Sequence, residues 1–282
     1  MENSNLKGKV AVITGGGGIL CQSFADGLAQ KGVKVAILDI VEEKALSVAD
    51  KICQNGGSAI GICCDVLKKE SIIAAQKIII EHFGSYDILI NGAGGNHPKG
   101  TTTKETLEMA DLVQEDEGLN TFYNLDESGV DFVFKLNFMG TLLPTQVFSR
   151  EMAGKTGASI INISSMSAYS PMTKVPAYSA AKAAISNFTH WLAVHLADVG
   201  IRVNAIAPGF FLTEQNRKLL LNEDGSLTQR SHKIIRHTPM RRFGNPKDLL
   251  GTLLYLCDEE ASGFITGVVI PVDGGFMAYS GV

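Results

Sequence analysis

A tyrosine and a lysine four residues apart, Tyr178 and Lys182, are the residues whose types and spacing best suit chemistry. Positions i and i+4 lie on one face of a helix, so the lysine ammonium can stabilise a tyrosine phenolate. The unperturbed pKa of tyrosine is about 10, and a nearby cation lowers it. Ser165, thirteen residues upstream of Tyr178, offers a second hydroxyl. This combination predicts proton transfer to or from an alcohol.

The helix needed for that geometry is supported by the residues around the pair. The spacing alone is weak evidence, because a tyrosine and a lysine four apart occur by chance in many helices. Pro176 suits a first helical turn, and the alanines that follow Tyr178 are strong helix formers. We therefore predict a helix over 176–198.

The composition is that of an ordinary globular protein. The chain has 282 residues, of which 45% are hydrophobic and 19% charged, and we expect one domain over 1–282. A formal net charge of -4 argues against a nucleic-acid or anionic-membrane binder. No apolar run is long enough to cross a bilayer, and Met1–Lys9 lacks the basic-then-apolar pattern of a secretion signal. We expect a cytoplasmic protein.

The cysteines and histidines argue against a metal site. The five cysteines, Cys21, Cys53, Cys63, Cys64 and Cys257, include no C-x-x-C pair, and the six histidines include no H-E-x-x-H motif. We expect all five cysteines to be reduced and buried as small hydrophobic residues, with Cys63 and Cys64 on opposite faces of a strand.

The elements that must position the chemistry follow an alternating pattern. Short apolar runs alternate with longer helical patterns, which is typical of βαβ units and predicts an α/β fold with a doubly wound parallel sheet. Strands are predicted at 9–13, 33–39, 58–64, 86–90, 158–164, 201–207 and 267–272, and helices from about 20 to 31 and at 42–54, 69–83, 132–152, 176–198 and 246–257.

Two polar stretches interrupt this rhythm. The first, over about 95–131, looks like an insertion, with a possible helix near Glu105–Leu112 and an acidic segment at Glu115, Asp116 and Glu117. The second, over about 209–245, is predicted to be irregular and is rich in basic residues. Loops of this length are often functional.

A glycine-rich turn after the first strand predicts a phosphate-binding site. Thr14–Gly18 joins a strand to a helix, the context in which backbone N–H groups approach a pyrophosphate. Asp39 ends the second strand, where a carboxylate would accept hydrogen bonds from an adenosine ribose. Ile40 and Val41 offer no cation for a 2′-phosphate, which favours NAD over NADP. The alternatives are a glycine-rich turn of no special function and, for Asp39, the role of a helix N-cap or turn residue.

Several short motifs occur together in one order along nearly the whole chain. Beside the glycine turn and the Tyr178–Lys182 pair, they are Cys64-Asp65-Val66, Asn91-Gly92-Ala93-Gly94, Asn137, Asn162-Ile163-Ser164-Ser165, the run from Arg202 to Gly209, and Val272-Asp273-Gly274-Gly275-Phe276. With these motifs the chain resembles the short-chain dehydrogenases/reductases. The resemblance implies a Rossmann-type fold, an NAD(P) cofactor, a small-molecule substrate and a homotetramer.

The resemblance also implies roles for individual residues. Tyr178 would be the general acid/base, and Lys182 would lower its pKa and hold the nicotinamide ribose. Ser165, chosen over Ser164 for its distance from Tyr178, would polarise the substrate carbonyl, and Asn137 would complete a proton relay. The implied cofactor-binding residues are Gly15, Gly18, Ile19, Asp39, Asp65, Val66, Asn91, Gly92, Ala93, Tyr178, Lys182, Pro208, Gly209 and Thr213.

One departure from the family pattern concerns the glycine turn. The pattern T-G-x-x-x-G-x-G counted from Thr14 places Ile19 and Cys21 where its last two glycines belong. Gly18 comes one residue early, so the sequence leaves the contacts of this turn with a pyrophosphate open.

The substrate site is predicted at the two irregular stretches. Asn96 and His97 directly follow a cofactor-contacting strand end and are the candidate substrate-binding residues beside Ser165. A basic cluster could bind an anionic substrate or simply form a solvated face. Its members are Arg217, Lys218, Arg230, His232, Lys233, Arg236 and His237.

Two segments narrow the resemblance further. Residues 91–98 and 136–146, with the insertion between them, resemble the D-mannonate oxidoreductases of the short-chain type, which are fructuronate reductases. This implies NADH-dependent reduction of D-fructuronate to D-mannonate and its reverse. The alternatives are a gluconate 5-dehydrogenase-like or other polyol dehydrogenase and, from a different class, a non-catalytic NAD-binding regulator.

Overall fold

The computed structural model describes residues 5–113 and 118–281, apart from the side chains of residues 214, 215 and 218. Its centre is a seven-stranded parallel sheet with the order β3-β2-β1-β4-β5-β6-β7. The strands are β1 (Val10–Thr14), β2 (Lys34–Asp39), β3 (Ala59–Cys63), β4 (Ile88–Asn91), β5 (Ala158–Ile163), β6 (Ile201–Pro208) and β7 (Val269–Val272).

Helices cover both faces of the sheet. They are α1 (Ile19–Ala29), α2 (Glu42–Gln54), α3 (Lys69–Phe83), α4 (Glu127–Phe134), α5 (Gly140–Met152), α6 (Pro176–His195), α7 (Glu214–Leu220), α8 (Gln229–His237), α9 (Leu250–Cys257) and α10 (Glu259–Ser262). Because the central strands are covered on both sides, every residue of β1 and β5 is buried, with no alternation between buried and exposed positions.

The core consists of two layers, one on each face of the sheet. On one face, α1, α2 and α9 pack apolar side chains such as Phe24, Ile52 and Leu253 against the strands. On the other face, α3, α5 and α6 contribute side chains such as Ile79 and Phe148. This arrangement confirms the predicted α/β fold with a Rossmann-type doubly wound sheet.

The strand order reverses at β1, and that reversal creates the crevice for a site. The chain builds outward from β1 through β2 to β3, then returns to place β4 on the other side of β1. Thr14 and Asn91 are register partners at the carboxyl ends of β1 and β4. The Thr14 hydroxyl accepts hydrogen bonds from the N–H groups of Gly92, at 3.1 Å, and Ala93, at 3.2 Å. Ligands of open α/β sheets bind in such a crevice.

The helix predicted over 132–152 differs from the one observed. It starts earlier, as α4 at Glu127, and contains a π-helical turn at Lys135–Met139 before it continues as α5. A single extra residue in the helical repeat does not alter the apolar periodicity enough to be recognised from sequence. The π turn centres on Asn137, which is fully buried.

The second irregular stretch is more regular than predicted, because it contains α7 and α8. Short helices separated by turns give a weak periodic signal. In the insertion, the helix expected at 105–112 is only a 3-10 turn at Met109–Leu112, and further 3-10 turns cover Pro98–Gly100 and Phe122–Asn124. The acidic residues Glu115, Asp116 and Glu117 lie outside the described residues.

The cysteine prediction is partly wrong. All five cysteines are free, and Cys21, Cys64 and Cys257 are buried, but Cys53 and Cys63 are exposed. Both exposed residues lie on the β3 edge of the molecule, Cys53 near the end of α2 and Cys63 at the end of β3. Cys63 and Cys64 do face opposite sides, as the alternation of an extended chain requires.

The described residues contain neither a helix suited to cross a membrane nor a cluster of side chains suited to bind a metal ion. None of the helices in the described part of the chain combines the length and apolarity needed to cross a membrane. Over the same residues, no group of three or more histidine, cysteine, aspartate or glutamate side chains is arranged to hold a metal ion.

Candidate active site

A cavity of about 660 Å³ opens at the carboxyl ends of the strands. Its wall includes most of the residues that the sequence singles out: Gly15, Gly18, Ile19, Asp39, Asp65, Val66, Gly92, Ala93, Asn96, Ser165, Tyr178, Lys182, Pro208, Gly209 and Thr213. Asn91, Asn137 and His97 are not part of that wall. The volume is in the range usual for small-molecule and cofactor sites.

The glycine turn leaves the start of α1 open to the cavity. Gly15 has φ +61°, and a Cβ there would lie 2.8 Å from the Cα of Ala93, so the turn needs glycine at this position. Gly18 is the N-cap of α1 and no side chain caps the helix, whose first turn carries no acidic residue. The first N–H groups of a helix and its dipole attract an anion, so this end of the cavity suits a phosphate group.

Asp39 holds the glycine turn in place while it faces the cavity. Its Oδ2 accepts a hydrogen bond from the N–H of Gly17 at 3.0 Å, and its Oδ1 accepts one from Val41 at 3.0 Å. Asp39 therefore does stabilise a turn. Each carboxylate oxygen has further lone pairs, however, which can accept a hydrogen bond from a ribose hydroxyl. Ile40 and Val41 remain exposed beside it.

Asp65 and Val66 line the same end of the cavity, whereas Asn91 does not. Asp65 accepts a hydrogen bond from Leu67 N–H at 3.0 Å and pairs with Lys68 at 3.3 Å. The Asn91 side chain points into the core, where its amide donates to Thr145 and Asn162. The prediction that Asn91 borders the adenosine ribose therefore finds no support in its side chain, because a polar group at the end of a buried strand is held by the neighbouring strand and helix.

Ser165 and Tyr178 come together in the cavity wall. Ser165 follows the end of β5 and Tyr178 lies in the first turn of α6, close enough for the Ser165 hydroxyl to affect the pKa of Tyr178. The neighbouring Ser164 hydroxyl is engaged elsewhere, at 2.7 Å from Ser186 Oγ and 3.1 Å from the carbonyl of Lys182. Of the two adjacent serines, Ser165 is thus the one whose hydroxyl meets Tyr178.

Lys182 is buried beneath Tyr178. Its Nζ lies 5.6 Å from the centre of the Tyr178 ring and donates a hydrogen bond to the carbonyl of Ile163 at 2.8 Å. Burial lowers the pKa of Lys182 from 10.5 to about 8. A lysine that lines a cavity and has a strongly lowered pKa is typical of a functional site.

The Tyr178 pKa does not follow the sequence-based expectation. Burial raises it above its usual value of 10, and the hydrogen bond with Ser165 only partly opposes that effect. Desolvation disfavours the phenolate more than the surrounding groups favour it. Tyr178 is therefore a protonated hydroxyl at neutral pH in this structure, which suits it to donate a proton.

Asn137 secures the loop that follows β4. Its amide donates to the carbonyls of Gly95 and Val133, each at 2.7 Å, and its Oδ1 accepts from the Gly95 N–H at 3.2 Å. A Cβ on Gly94 would lie 2.7 Å from that same oxygen and 3.2 Å from Lys182 Nζ. Asn137, behind the cavity wall, and Lys182, in the wall, thus both approach Gly94 closely.

Asn96 and His97, the predicted substrate residues, have different surroundings. Asn96 lines the cavity and donates to the Thr101 hydroxyl at 2.9 Å. His97 packs its ring against Phe132, with 5.1 Å between the ring centres, and its Nδ1 accepts a hydrogen bond from Lys99 N–H. His97 therefore stabilises the start of the insertion rather than lining the cavity.

The basic cluster is largely dispersed over the surface. Arg217, His232, Lys233, Arg236 and His237 are exposed and do not line the cavity, and the Lys218 side chain lies outside the described residues. Arg230 alone of the described members reaches the cavity wall. The structure also adds residues that the sequence did not single out, namely Lys44 beside the glycine turn and an apolar group formed by Phe132, Leu136, Met172, Val175, Phe210 and Phe211. Lys44 lies in the first turn of α2, five residues after Asp39. This short distance from Asp39 was the sequence signal that could have identified it as a residue of the cavity.

Comparison with known proteins gives a family and several relatives. The profile of the short chain dehydrogenase family matches residues 9–224. An uncharacterized oxidoreductase of Bacillus subtilis, UxuB, is 58% identical over 280 residues, which are 99% of each chain. Two relatives from Escherichia coli K12 are each 32% identical. They are 7alpha-hydroxysteroid dehydrogenase, over 97% of this chain and 96% of the relative, and 2-dehydro-3-deoxy-D-gluconate 5-dehydrogenase, over 97% of each.

A solved structure is similar over the same length. It is that of a Haemophilus influenza protein proposed to be a D-mannonate oxidoreductase, with bound NAD. The two chains are 54% identical, with a TM-score of 0.94, and the match covers 99% of each.

Proposed function

Because this chain belongs to the short-chain dehydrogenase family, we propose that it is an NAD-dependent oxidoreductase that interconverts D-fructuronate and D-mannonate. The observation that carries the proposal is that Ser165, Tyr178 and Lys182 share one cavity with the glycine turn and Asp39. A dinucleotide and a substrate with a reacting hydroxyl or carbonyl group can therefore be bound next to each other in one cavity.

The residues at the α1 end of the cavity fit NAD. The uncapped first turn of α1 suits its pyrophosphate, and the Asp39 carboxylate suits the hydroxyls of its adenosine ribose while repelling a 2′-phosphate. Asp65 and Val66 would border the adenine, with Gly92 and Ala93 beside them, and Pro208, Gly209 and Thr213 would border the nicotinamide half. When bound, NAD exchanges a hydride with the alcohol carbon.

The reacting oxygen would be handled by two hydroxyls of the chain. Ser165 would donate a hydrogen bond to the substrate carbonyl oxygen and so favour the negative charge that develops there. Tyr178 Oη would give its proton to that oxygen in reduction and take it back in oxidation. The raised pKa of Tyr178 supports the donor role, since its hydroxyl holds the proton at neutral pH.

Lys182, in the cavity wall, and Asn137, behind it, would support this exchange. Lys182, with its pKa near 8, carries a positive charge at neutral pH that would stabilise the phenolate left after proton donation. Its Nζ would also hold a hydroxyl of the nicotinamide ribose. Asn137 would fix the Gly95 loop and continue the proton relay from Lys182 to solvent.

The sugar-acid substrate is supported by the comparisons. The Haemophilus protein proposed to act on D-mannonate is 54% identical, and one Escherichia coli relative acts on 2-dehydro-3-deoxy-D-gluconate. The two segments at 91–98 and 136–146 that resemble D-mannonate oxidoreductases both contribute to the cavity, the first at Asn96 and the second at Leu136. The second candidate is a gluconate 5-dehydrogenase-like enzyme, which would use the same residues on a different keto acid.

The test is NADH oxidation, followed by absorbance, with D-fructuronate, 5-keto-D-gluconate and D-fructose as parallel substrates and NADPH as a cofactor control. We expect NADH-selective turnover that is fastest with D-fructuronate. Faster turnover of 5-keto-D-gluconate would replace the substrate assignment and retain the enzyme class.

A second experiment, with a variant of Tyr178, distinguishes an enzyme from a non-catalytic NAD-binding regulator. Tyr178→Phe should lower kcat at least about 100-fold, because general acid catalysis contributes at this level. NADH affinity, measured by calorimetry, should stay nearly unchanged. Undiminished turnover in this variant would remove Tyr178 from the mechanism, and an absence of turnover in the wild type with every keto acid would favour the regulator.

The homotetramer and the cytoplasmic location stay predictions. The outer face of α6 exposes Trp191 and Val194, with 56% and 81% of their surface accessible, which supports coverage of this helix by another subunit. Size-exclusion chromatography with light scattering would measure the assembly.

A further inference from the structure

Arg230 is distinguished from the other cations of the cavity by having no role in the proposed chemistry. The cationic residues among the described side chains that line the cavity are Lys44, Lys182 and Arg230. Lys44 lies against Gly17 at the glycine turn, and Lys182 is bound to the carbonyl of Ile163. The guanidinium of Arg230 is thus the positive charge whose purpose is unexplained.

The ion pairs around Arg230 connect it with the insertion and, through Glu105, with the loop that leads into α6. Arg230 and Lys233 project from one face of α8, and both form ion pairs with Glu105 of the insertion. Glu105 is also within the electrostatic influence of Lys174, which lies four residues before Tyr178. Three segments therefore meet here: α8, the insertion, and the loop that leads into α6.

The guanidinium keeps donors available for a ligand. Its Nη1 lies 3.6 Å from Glu105 Oε1, beyond hydrogen-bonding distance, whereas Lys233 makes the direct hydrogen bond to Glu105. Arginine has five N–H donors in a planar fork that matches a carboxylate. Its side chain is 24% exposed, so the charge is partly shielded from water and its hydrogen bonds are stronger than at an open surface.

The acidic side chains of the cavity wall lie at one end of the cavity. Its acidic lining residues among those described are Asp39 and Asp65, and both lie toward the adenosine side. The walls near Tyr178 are mostly apolar, with Phe132, Met172 and Val175. A substrate carboxylate that enters beside Tyr178 therefore meets no acidic side chain in the described wall, and Arg230 is the cation there that the proposed chemistry leaves without a role.

From this arrangement we infer that Arg230 binds the carboxylate of the substrate and so selects sugar acids over neutral sugars, an inference that rests on the proposed function. Lys233, which takes up most of the Glu105 charge, leaves Arg230 free to turn its fork toward the ligand. The insertion then serves to hold α8 over the site.

The experiment compares Arg230→Gln with Lys233→Gln as a matched control. Both variants remove one positive charge and one ion pair with Glu105 from the same helix face, but Lys233 does not line the cavity. KM and kcat are measured with D-fructuronate and with D-fructose, which lacks the carboxylate. Binding of D-mannonate in the presence of NAD is measured by calorimetry, so that affinity is known independently of turnover.

Arg230→Gln should raise the KM for D-fructuronate and the Kd for D-mannonate roughly 10- to 100-fold, the range for loss of charge-assisted hydrogen bonds. Its KM for D-fructose should change little. Arg230→Lys should recover part of the loss, because it restores the charge without the fork. Lys233→Gln should have a clearly smaller effect on the two acids than Arg230→Gln, because it keeps Arg230 in the cavity wall although Glu105 can then compete for the guanidinium.

Equal effects of the two glutamine variants, or equal losses for the acid and the neutral sugar, would overturn the inference, since only the attachment of α8 would then matter. If the wild type uses 5-keto-D-gluconate and not D-fructuronate, the substrate named above is wrong, and the same variants decide the role of Arg230 on that acid. A wild type that prefers D-fructose to both acids would overturn it outright. Unchanged thermal unfolding and NADH affinity in each variant show that the fold is intact.

Discussion

The thiol of Cys21 lies against Gly92 so closely that a Cβ added to Gly92 would be 2.3 Å from its sulfur. Cys21 occupies the position at which the family pattern has its last glycine, and burial raises its pKa to about 12. In the family pattern, a glycine on the helix lets α1 approach the sheet closely. Here the helix has Cys21 at that position, and the absence of a side chain at Gly92 makes the close approach possible. The thiol acts as an inert packing group.

This contact predicts the behaviour of Gly92→Ala. The new methyl would clash with Cys21 and lie 2.8 Å from the carbonyl oxygen of Thr14, so we expect a loss of about 1–3 kcal/mol in the free energy of unfolding and weaker NADH binding. Adding Cys21→Ala should recover part of the loss, because the thiol can be removed and the backbone oxygen cannot. Gly251→Ala, in a helix with nothing within 4 Å, is the control and should be neutral or slightly stabilising. Urea unfolding measures all four proteins, and an unchanged Gly92→Ala would contradict the packing.

The two adjacent serines give a matched pair of variants. Ser165→Ala should lower kcat about 100-fold, since its hydroxyl lines the cavity beside Tyr178. It should also cost about 1 kcal/mol of stability, because that hydroxyl accepts hydrogen bonds from the N–H and the hydroxyl of Ser167. Ser164→Ala should cost about 1–2 kcal/mol of stability, because Ser186 and the Lys182 carbonyl would lose a buried partner. Its kcat should fall much less. Steady-state kinetics and thermal unfolding of both variants test the distinction, and a larger kcat loss in Ser164→Ala would reverse the assignment.

Asp39 and Lys44 together predict cofactor preference. Asp39→Ala should weaken NADH binding about tenfold and shift the preference toward NADPH by more than that, because the repulsive carboxylate is lost while Lys44 stays in the wall. Lys44→Met in the Asp39→Ala background should remove the gain in NADPH affinity. Glu42→Ala, which removes a nearby charge outside the cavity wall, is the control. Fluorescence titrations with both dinucleotides measure the affinities, and an unaltered ratio in Asp39→Ala would show that specificity is determined elsewhere.

Lys182 predicts a specific pH dependence of stability. Its pKa is about 8 in the folded protein and 10.5 ordinarily, so between these values the unfolded chain binds more protons than the folded one. Stability contributed by this group therefore rises with pH across that window and is flat below it. Relative to Lys182→Met, the wild type should gain on the order of 3 kcal/mol between pH 7 and pH 11. Denaturant unfolding at several pH values measures this difference, and parallel profiles of the two proteins would contradict the lowered pKa.

Local sequence determined the order and type of most elements. Both α2 and α3 begin and end at the residues predicted, because their apolar periodicity and flanking glycines are local signals. The same holds for the chemical types of the site: a serine, a tyrosine and a lysine at a helical spacing, a glycine turn after a strand, and an acid at the end of the next strand. These depend on neighbours within one or two turns of chain.

The tertiary structure decided what depends on distant parts of the chain. Only packing shows that Asn91 turns into the core, that His97 serves the insertion, and that burial raises the Tyr178 pKa instead of lowering it. Only packing distinguishes Arg230 from the other basic candidates whose side chains are described, by joining α8 to Glu105 more than 120 residues earlier. The physical reason is that exposure, desolvation and charge pairing are properties of the space around a side chain, and that space is built from segments whose proximity no local pattern encodes.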